Sequence, residues 1–169
     1  MVLNYLFRRK PEYRTRKLLC FSKEQMYEVV ADIENYSSFL PFCTQSNIVD
    51  QNQSELKVKL EIGFPPIKEK YTSLVTMNKP NLILAKSCDG ELFEYLETVW
   101  KFTSVPQGDP MTCIVDFSIK FKFKSNLYTH VASVFFGKLV KCLETAFINE
   151  AVRRYGRSST CIFEMTSQD

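Results

Sequence analysis

The candidates for moving protons are the carboxylates Glu61, Glu69, Asp116 and Glu150, out of 19 Asp and Glu in the chain, and the single histidine, His130. General acid–base catalysis needs two such groups facing one substrate, at least one of them tuned toward neutral pH. Here the carboxylates fall on polar positions of alternating or helical stretches, and His130 stands near a predicted helix start with no evident partner. No acid–base pair results, so catalytic residues are not expected. The six cysteines, Cys20, Cys43, Cys88, Cys113, Cys142 and Cys161, are scattered singly without a C-x-x-C pair. With one histidine to help them they predict no metal site. In the absence of a secretory signal pattern they read as structural thiols in a reducing compartment.

What remains is the chemistry of apolar surface. Aromatic residues make up 14% of the chain, as 14 Phe, 8 Tyr and one Trp. That content fits either a Phe-rich core or a cavity lined by rings. Tyr71, Tyr95 and Lys138 would be hydrogen-bond donors to a polar ligand end if they point inward. The 169 residues suit one domain, and no apolar run approaches the roughly 20 residues of a membrane-spanning helix. A net charge of +3 is too mild to suggest a nucleic-acid partner. The cations are unevenly spread, however: Arg8, Arg9, Lys10, Arg14, Arg16 and Lys17 crowd the N-terminus with only Glu12 among them. Three readings fit that cluster: the end of a targeting segment, a contact for anionic lipid, or a solvated edge strand.

The elements that must position these groups follow from periodicity. Residues 13–20 read as a strand with basic exposed positions. Ser22 and Gln25 form a capping-box pattern before Met26, Val29, Val30 and Ile33, which recur at helical spacing. A second helical turn over 36–40 ends at Pro41, which forces Leu40 into extended geometry. From residue 44 the period is two, and Leu56, Val58, Leu60 and Ile62 alternate with Lys57, Lys59 and Glu61. Further strands are predicted over 68–79, 82–88, 92–105 after an Asp89-Gly90 turn, and 112–123. In the last, Cys113, Val115, Phe117, Ile119, Phe121 and Phe123 share one face. A long helix over 127–155, capped by Ser125 or Asn126, carries an apolar stripe of Val131, Phe135, Leu139, Cys142, Ala146 and Phe147, and Gly137 interrupts it. The segment from 157 either adds a short strand or frays.

A lone helix with an apolar stripe and a curved antiparallel sheet with one apolar face must cover each other. The predicted class is therefore α+β with a helix-grip architecture: a curved antiparallel sheet wrapped around a long C-terminal helix, with two short helices after the first strand. A gap between sheet and helix would be a tunnel for a small apolar ligand.

The segment from Phe21 to Cys43, FSKEQMYEVVADIENYSSFLPFC, resembles the opening motif of the coenzyme Q-binding family of START-like domains. The likeness continues through Gly63-Phe64, Tyr71-Thr72-Ser73, Asp89-Gly90, Phe93, Leu96 and Trp100, and then through Ala146-Phe147, Arg153-Arg154 and Tyr155-Gly156. Ser37 stands where the family usually has Pro, and Phe42 where it usually has Trp. The resemblance implies a START-like fold at 13–156, between a basic segment at 1–12 and a tail at 157–169. It also implies binding of ubiquinone, with no catalytic cofactor, by a lipid chaperone or carrier supporting respiratory electron transport and quinone biosynthesis. Its expected place is the matrix side of the mitochondrial inner membrane, peripheral to anionic lipid and near respiratory or quinone-biosynthetic complexes. The expected ligand-binding set is Phe39, Leu40, Phe42, Phe64, Tyr71, Phe93, Leu96, Trp100, Phe117, Phe135 and Leu139. Leu40-Pro41-Phe42 would form a movable rim or a packed helix stop, and Lys57, Lys59, Lys120, Lys122 and Lys124 would face an anionic leaflet or water. The alternatives are a cyclase or aromatase of the same superfamily and a ribosome- or RNA-associated relative.

Overall fold

The computed structural model describes residues 12–64, 67–156 and 162–165. His130, Phe135 and Phe64 lie in its elements, but their side chains are outside the described residues, as are Arg8, Arg9, Lys10 and Cys161 altogether. Strand β1 (Glu12–Leu19) leads into α1 (Lys23–Ala31), a 3-10 turn at Ile33–Asn35 and the short α2 (Tyr36–Phe39). Six strands follow in a meander: β2 (Cys43–Gln51), β3 (Glu55–Phe64), β4 (Ile67–Asn78), β5 (Leu82–Gly90), β6 (Phe93–Ser104) and β7 (Cys113–Phe123). Helix α3 (Asn126–Tyr155) and the short β8 (Ile162–Glu164) complete the chain.

All eight strands form one antiparallel sheet in the order β2-β3-β4-β5-β6-β7-β1-β8. The long α3 crosses its concave face, so the helix grip stands. The capping box forms as its sequence predicts: the Ser22 hydroxyl accepts from the Gln25 N–H, and the Gln25 side chain accepts from the Ser22 N–H. Leu40 is extended before Pro41, with φ −79° and ψ 127°, which ends α2. At the far end of α3, Gly156 adopts φ +83° and its N–H donates to Val152 O at 2.8 Å, a left-handed helix stop.

Three expectations change. The Asp89-Gly90 pair is not the turn; it is the end of β5, paired with β4, and the chain reverses at residues 91–92. Gly90 is required there because it has φ +122° and a Cβ would lie 2.7 Å from the Tyr71 Cβ. β1 is not an edge strand, since β8 pairs with it through Lys17 and Glu164. Cys20 is disulfide-bonded, whereas Cys43, Cys88, Cys113 and Cys142 are free thiols.

The basic character of β1 is also spent internally. Arg16 forms a two-pronged bond to Asp116 at 2.6 and 3.1 Å, and Arg14 reaches Glu12 at 2.5 Å. Lys17 points inward, 3.2 Å from Glu144 of α3, which also accepts from Tyr13 at 3.4 Å and from Thr15. Glu144 is thus buried without being unsatisfied.

Candidate functional site

The inner face of the sheet is a grid whose rows follow from the strand register. Ile83, Trp100 and Phe117 are neighbours across β5, β6 and β7, and one step along lie Val75, Ala85, Thr98 and Ile119. Further along the same strands come Leu96 paired with Phe121, then Tyr71 paired with Leu60, and Phe93 paired with Phe123. Side chains from each of these rows line a cavity of about 220 Å³ between sheet and helix. Phe136, Leu139, Val140, Leu143 and Phe147 of α3 form its roof, and Ile33, Tyr36, Leu40, Pro41, Phe42 and Cys43 its side wall.

Rings crowd one end. Trp100 lies 4.3 Å from Phe117 and 4.9 Å from Phe147 between centroids, and Tyr36 meets Phe147 edge-on at 5.4 Å. The other end is framed by Tyr71 edge-on to Phe93 at 5.4 Å, Phe93 stacked on Phe123 at 5.1 Å, and Phe121 against Phe136 at 4.1 Å. Leu92, Phe121 and Phe123 make a second small core there, separate from the main one, and Leu96 packs on both.

The wall is uncharged. Among the described residues no Asp, Glu, His, Lys or Arg lines the cavity. Burial pushes the Cys43 thiol up to about 11 and raises Tyr71 and Tyr36 above the usual phenol range, so all three stay neutral at physiological pH. The Tyr36 hydroxyl donates to Val30 O, and Ser73 donates to Lys86 O at 3.3 Å. Tyr71 on β4 and Thr98 on β6 carry the other hydroxyls on the wall, two strands apart and in different rows. Such a chamber can hold a neutral apolar ring and offer it one or two hydrogen bonds.

Of the expected set, Leu40, Phe42, Tyr71, Phe93, Leu96, Trp100, Phe117 and Leu139 line this cavity. Phe39 does not. Its ring packs on Tyr36 and Phe147 at 5.8 and 5.5 Å, and it lines a separate, open groove on the flank of α3. Lys138 is exposed and Tyr95 is not on the cavity wall, so neither is placed to meet a ligand there. The roof also differs from the expected stripe. Cys142 is exposed, whereas Leu139 and Phe147 of that stripe line the roof, joined by Phe136, Val140 and Leu143. Gly137 has open space where a side chain would be, which rules out close packing on the sheet as its reason. Thr98, Ser73 and Cys43 were missed because small polar residues in a strand carry no signal of what they face.

Glu61 and Glu150, expected on polar faces, are buried but paired. Glu61 accepts from Thr44 at 2.7 Å and lies 3.2 Å from Lys70, and the Thr44 hydrogen bond first and the lysine second hold its carboxyl below the usual range. Glu150 accepts from Arg153 at 2.6 Å and from Arg154 at 2.8 Å, and these guanidiniums depress it to about 2. Neither approaches the cavity. Among the described residues no group of three or more His, Cys, Asp or Glu could hold a metal, and no helix is long and apolar enough to cross a membrane.

A curved antiparallel sheet gripping one long helix around an apolar chamber defines a START-like protein. Residues 19–148 match the family described as polyketide cyclase/dehydrase and lipid transport, and the chain belongs to that family together with the mitochondrial coenzyme Q-binding proteins. It is 45% identical over 86% of its length to a mitochondrial coenzyme Q-binding protein, homolog B, of Xenopus laevis. It is 39% identical over 95% of its length to the mitochondrial coenzyme Q-binding protein of Drosophila melanogaster. The chain spans 60% and 67% of those two relatives. In fold it is similar to an aromatase/cyclase from a Streptomyces species, with a TM-score of 0.76 at 13% identity over 90% of this chain and 99% of that one.

Proposed function

We propose that the chain binds ubiquinone in this cavity and serves as a lipid chaperone or carrier, without catalysing a reaction on it. The supporting observation is the wall itself: mostly aromatic and aliphatic, lined with rings at the Trp100 end, and, among the described residues, without a charged side chain. In a bilayer the acyl chains already solvate a prenylquinone, so close packing and polar contacts must supply the preference for the protein. The ring would lie between Leu96 and Trp100, with Tyr71 or Thr98 as donor to one of its carbonyl oxygens. The relatives' names place them in mitochondria, and we infer the same compartment here, peripheral on the matrix side of the inner membrane. Support for electron transport and quinone biosynthesis would follow from delivery to complexes in that membrane.

The cyclase reading needs an acid–base pair inside the chamber, and the described wall supplies none. The RNA reading rests on the basic N-terminal cluster, of which Arg14, Arg16 and Lys17 are engaged by Glu12, Asp116 and Glu144, while Arg8, Arg9 and Lys10 lie outside the described residues. The test is uptake of ubiquinone from loaded liposomes by the purified protein, followed by flotation and quantitation of the protein-bound quinone. Uptake near one per chain, lost in Leu96→Ser, is expected; no uptake by a folded wild type would overturn the carrier reading.

A further inference from the structure

We infer that the open groove between the Pro41 loop and the flank of α3 takes the hydrocarbon chain of the molecule whose ring fills the cavity. The inference rests on the quinone reading above and adds a second subsite to it.

Volume comes first. The cavity's 220 Å³ is below the roughly 300–1,000 Å³ usual for small-molecule sites, so a substituted ring fills it and a long chain has to leave. An adjoining space is at hand. Pro41 lines both the cavity and the groove, which measures about 490 Å³. The same turns of α3 border both: Leu139, Val140 and Leu143 line the cavity, whereas Lys141, Cys142 and Thr145 line the groove. The two spaces therefore lie on either side of one seam, between the Pro41 loop and the helix.

The groove's chemistry suits a chain better than a second polar ligand. Phe39, Pro41 and Ala146 give it an apolar wall. Of its polar lining, Glu150 and Arg153 are joined to each other by two hydrogen bonds of 2.6 and 2.7 Å, and Lys141, Thr145 and Asn149 stand along the helix side. The loop at the seam is held in a left-handed conformation at Phe42, φ +72°, with its ring partly exposed, and is tied to β3 by Gly63 N–H donating to Phe42 O at 2.8 Å. A side chain so placed can shift to let a chain pass without breaking a strand.

Two native residues report the two spaces separately. Trp100 is the chain's single tryptophan and lines the cavity, so quenching of its fluorescence reads ring entry. Cys142 is an exposed free thiol in the groove, and exposed Cys88 on β5 is an internal control. The experiment measures N-ethylmaleimide alkylation of each cysteine by peptide mass spectrometry, with ubiquinone homologues carrying one or many isoprene units delivered from cyclodextrin. Both rings are fully substituted and do not themselves add to thiols. The expected result is Trp100 quenching by both homologues, with Cys142 alkylation slowed roughly fivefold or more by the long-chain one alone, because a covered thiol is cut off from reagent. Cys88 should react at one rate throughout. Ala146→Lys should weaken retention of the long-chain homologue and leave the one-isoprene homologue unchanged. Quenching by both homologues with equal Cys142 rates would overturn the groove assignment and leave the cavity reading standing. No quenching by either would remove the quinone reading and this inference with it.

Discussion

At one end of α3, Arg154 bridges Asp32 and Glu150 while the Tyr155 hydroxyl donates to Glu28 at 3.1 Å, so the helix is bound to α1 by charge. Further along, the helix meets the sheet through Phe136, Leu139 and Phe121 around the cavity, and Phe42 stands partly in solvent. The first region contains the large core of Met26, Val29, Val30 and Phe102, all essentially inaccessible. The second has only the small cluster of Leu92, Phe121 and Phe123. The contrast teaches where each kind of energy is placed. Stability is concentrated where helix and sheet close on each other, so the opposite end can leave close packing incomplete for a ligand to supply.

Substitutions at the two ends should therefore separate folding from binding. The largest effect on stability is expected from Phe102→Ala in the closed region, about 4 kcal/mol in denaturant unfolding, because the ring is 2% exposed and packs edge-on to Tyr27 at 5.8 Å. The folded fraction should still take up quinone. A comparable cost for Phe42→Ala would break the comparison.

Arg154→Ala should follow, at about 2 kcal/mol, since it strips a charged partner from both Glu150 and Asp32. The same network sets an acid limit. The arginines depress Glu150 from its usual 4.5 to about 2, so the folded state favours its ionised form. That contribution is complete above the unfolded value and is lost as pH falls from about 4.5 through 2. Unfolding followed across that interval should show stability dropping with acid, with a shallower slope in Glu150→Gln; identical slopes would contradict the assignment.

At the cavity end the signs change. Leu96→Ala should cost only about 1.5 kcal/mol, less than a fully buried leucine, because its side chain lines the cavity and is not packed on every side. Its effect on quinone retention should be much larger than on folding. Smallest is Phe42→Gly, expected to be neutral or stabilising by up to about 1 kcal/mol because glycine adopts φ +72° without strain. Thermal denaturation would check this, and loss of quinone retention without loss of stability would place Phe42 with the rim.

The contrast also explains what the sequence made legible. The strict alternation of Cys113 to Phe123 names a strand with one wet face, and all six inward residues are buried. Ser22 with Gln25, and Pro41 after Leu40, fix helix ends through local hydrogen bonding and sterics alone. Periodicity placed Leu139 and Phe147 on the inward stripe of α3, but could not separate inward Phe136, Val140 and Leu143 from outward Cys142, because neighbouring stripes both satisfy helical spacing. Only the sheet decides. Nor could it show that Lys17, Glu61 and Glu150 lose their water, since alternation assigns a face but not what covers it. Gly90 read as a turn because its type suits one; the reason for it is Tyr71, nineteen positions earlier in the chain, across the β4–β5 pair. The aromatic candidates were legible as a set, and Phe39 fell outside the chamber because its ring seals the wall from behind.

The most direct test of the central claim is organic extraction and mass spectrometry of the protein purified from a quinone-producing host, beside Leu96→Ser and Phe102→Ala. The account predicts near-stoichiometric ubiquinone in the wild type, little in Leu96→Ser, and retention per folded molecule in Phe102→Ala. A folded wild type carrying no prenylquinone, or a Leu96→Ser variant carrying as much as the wild type, would contradict it.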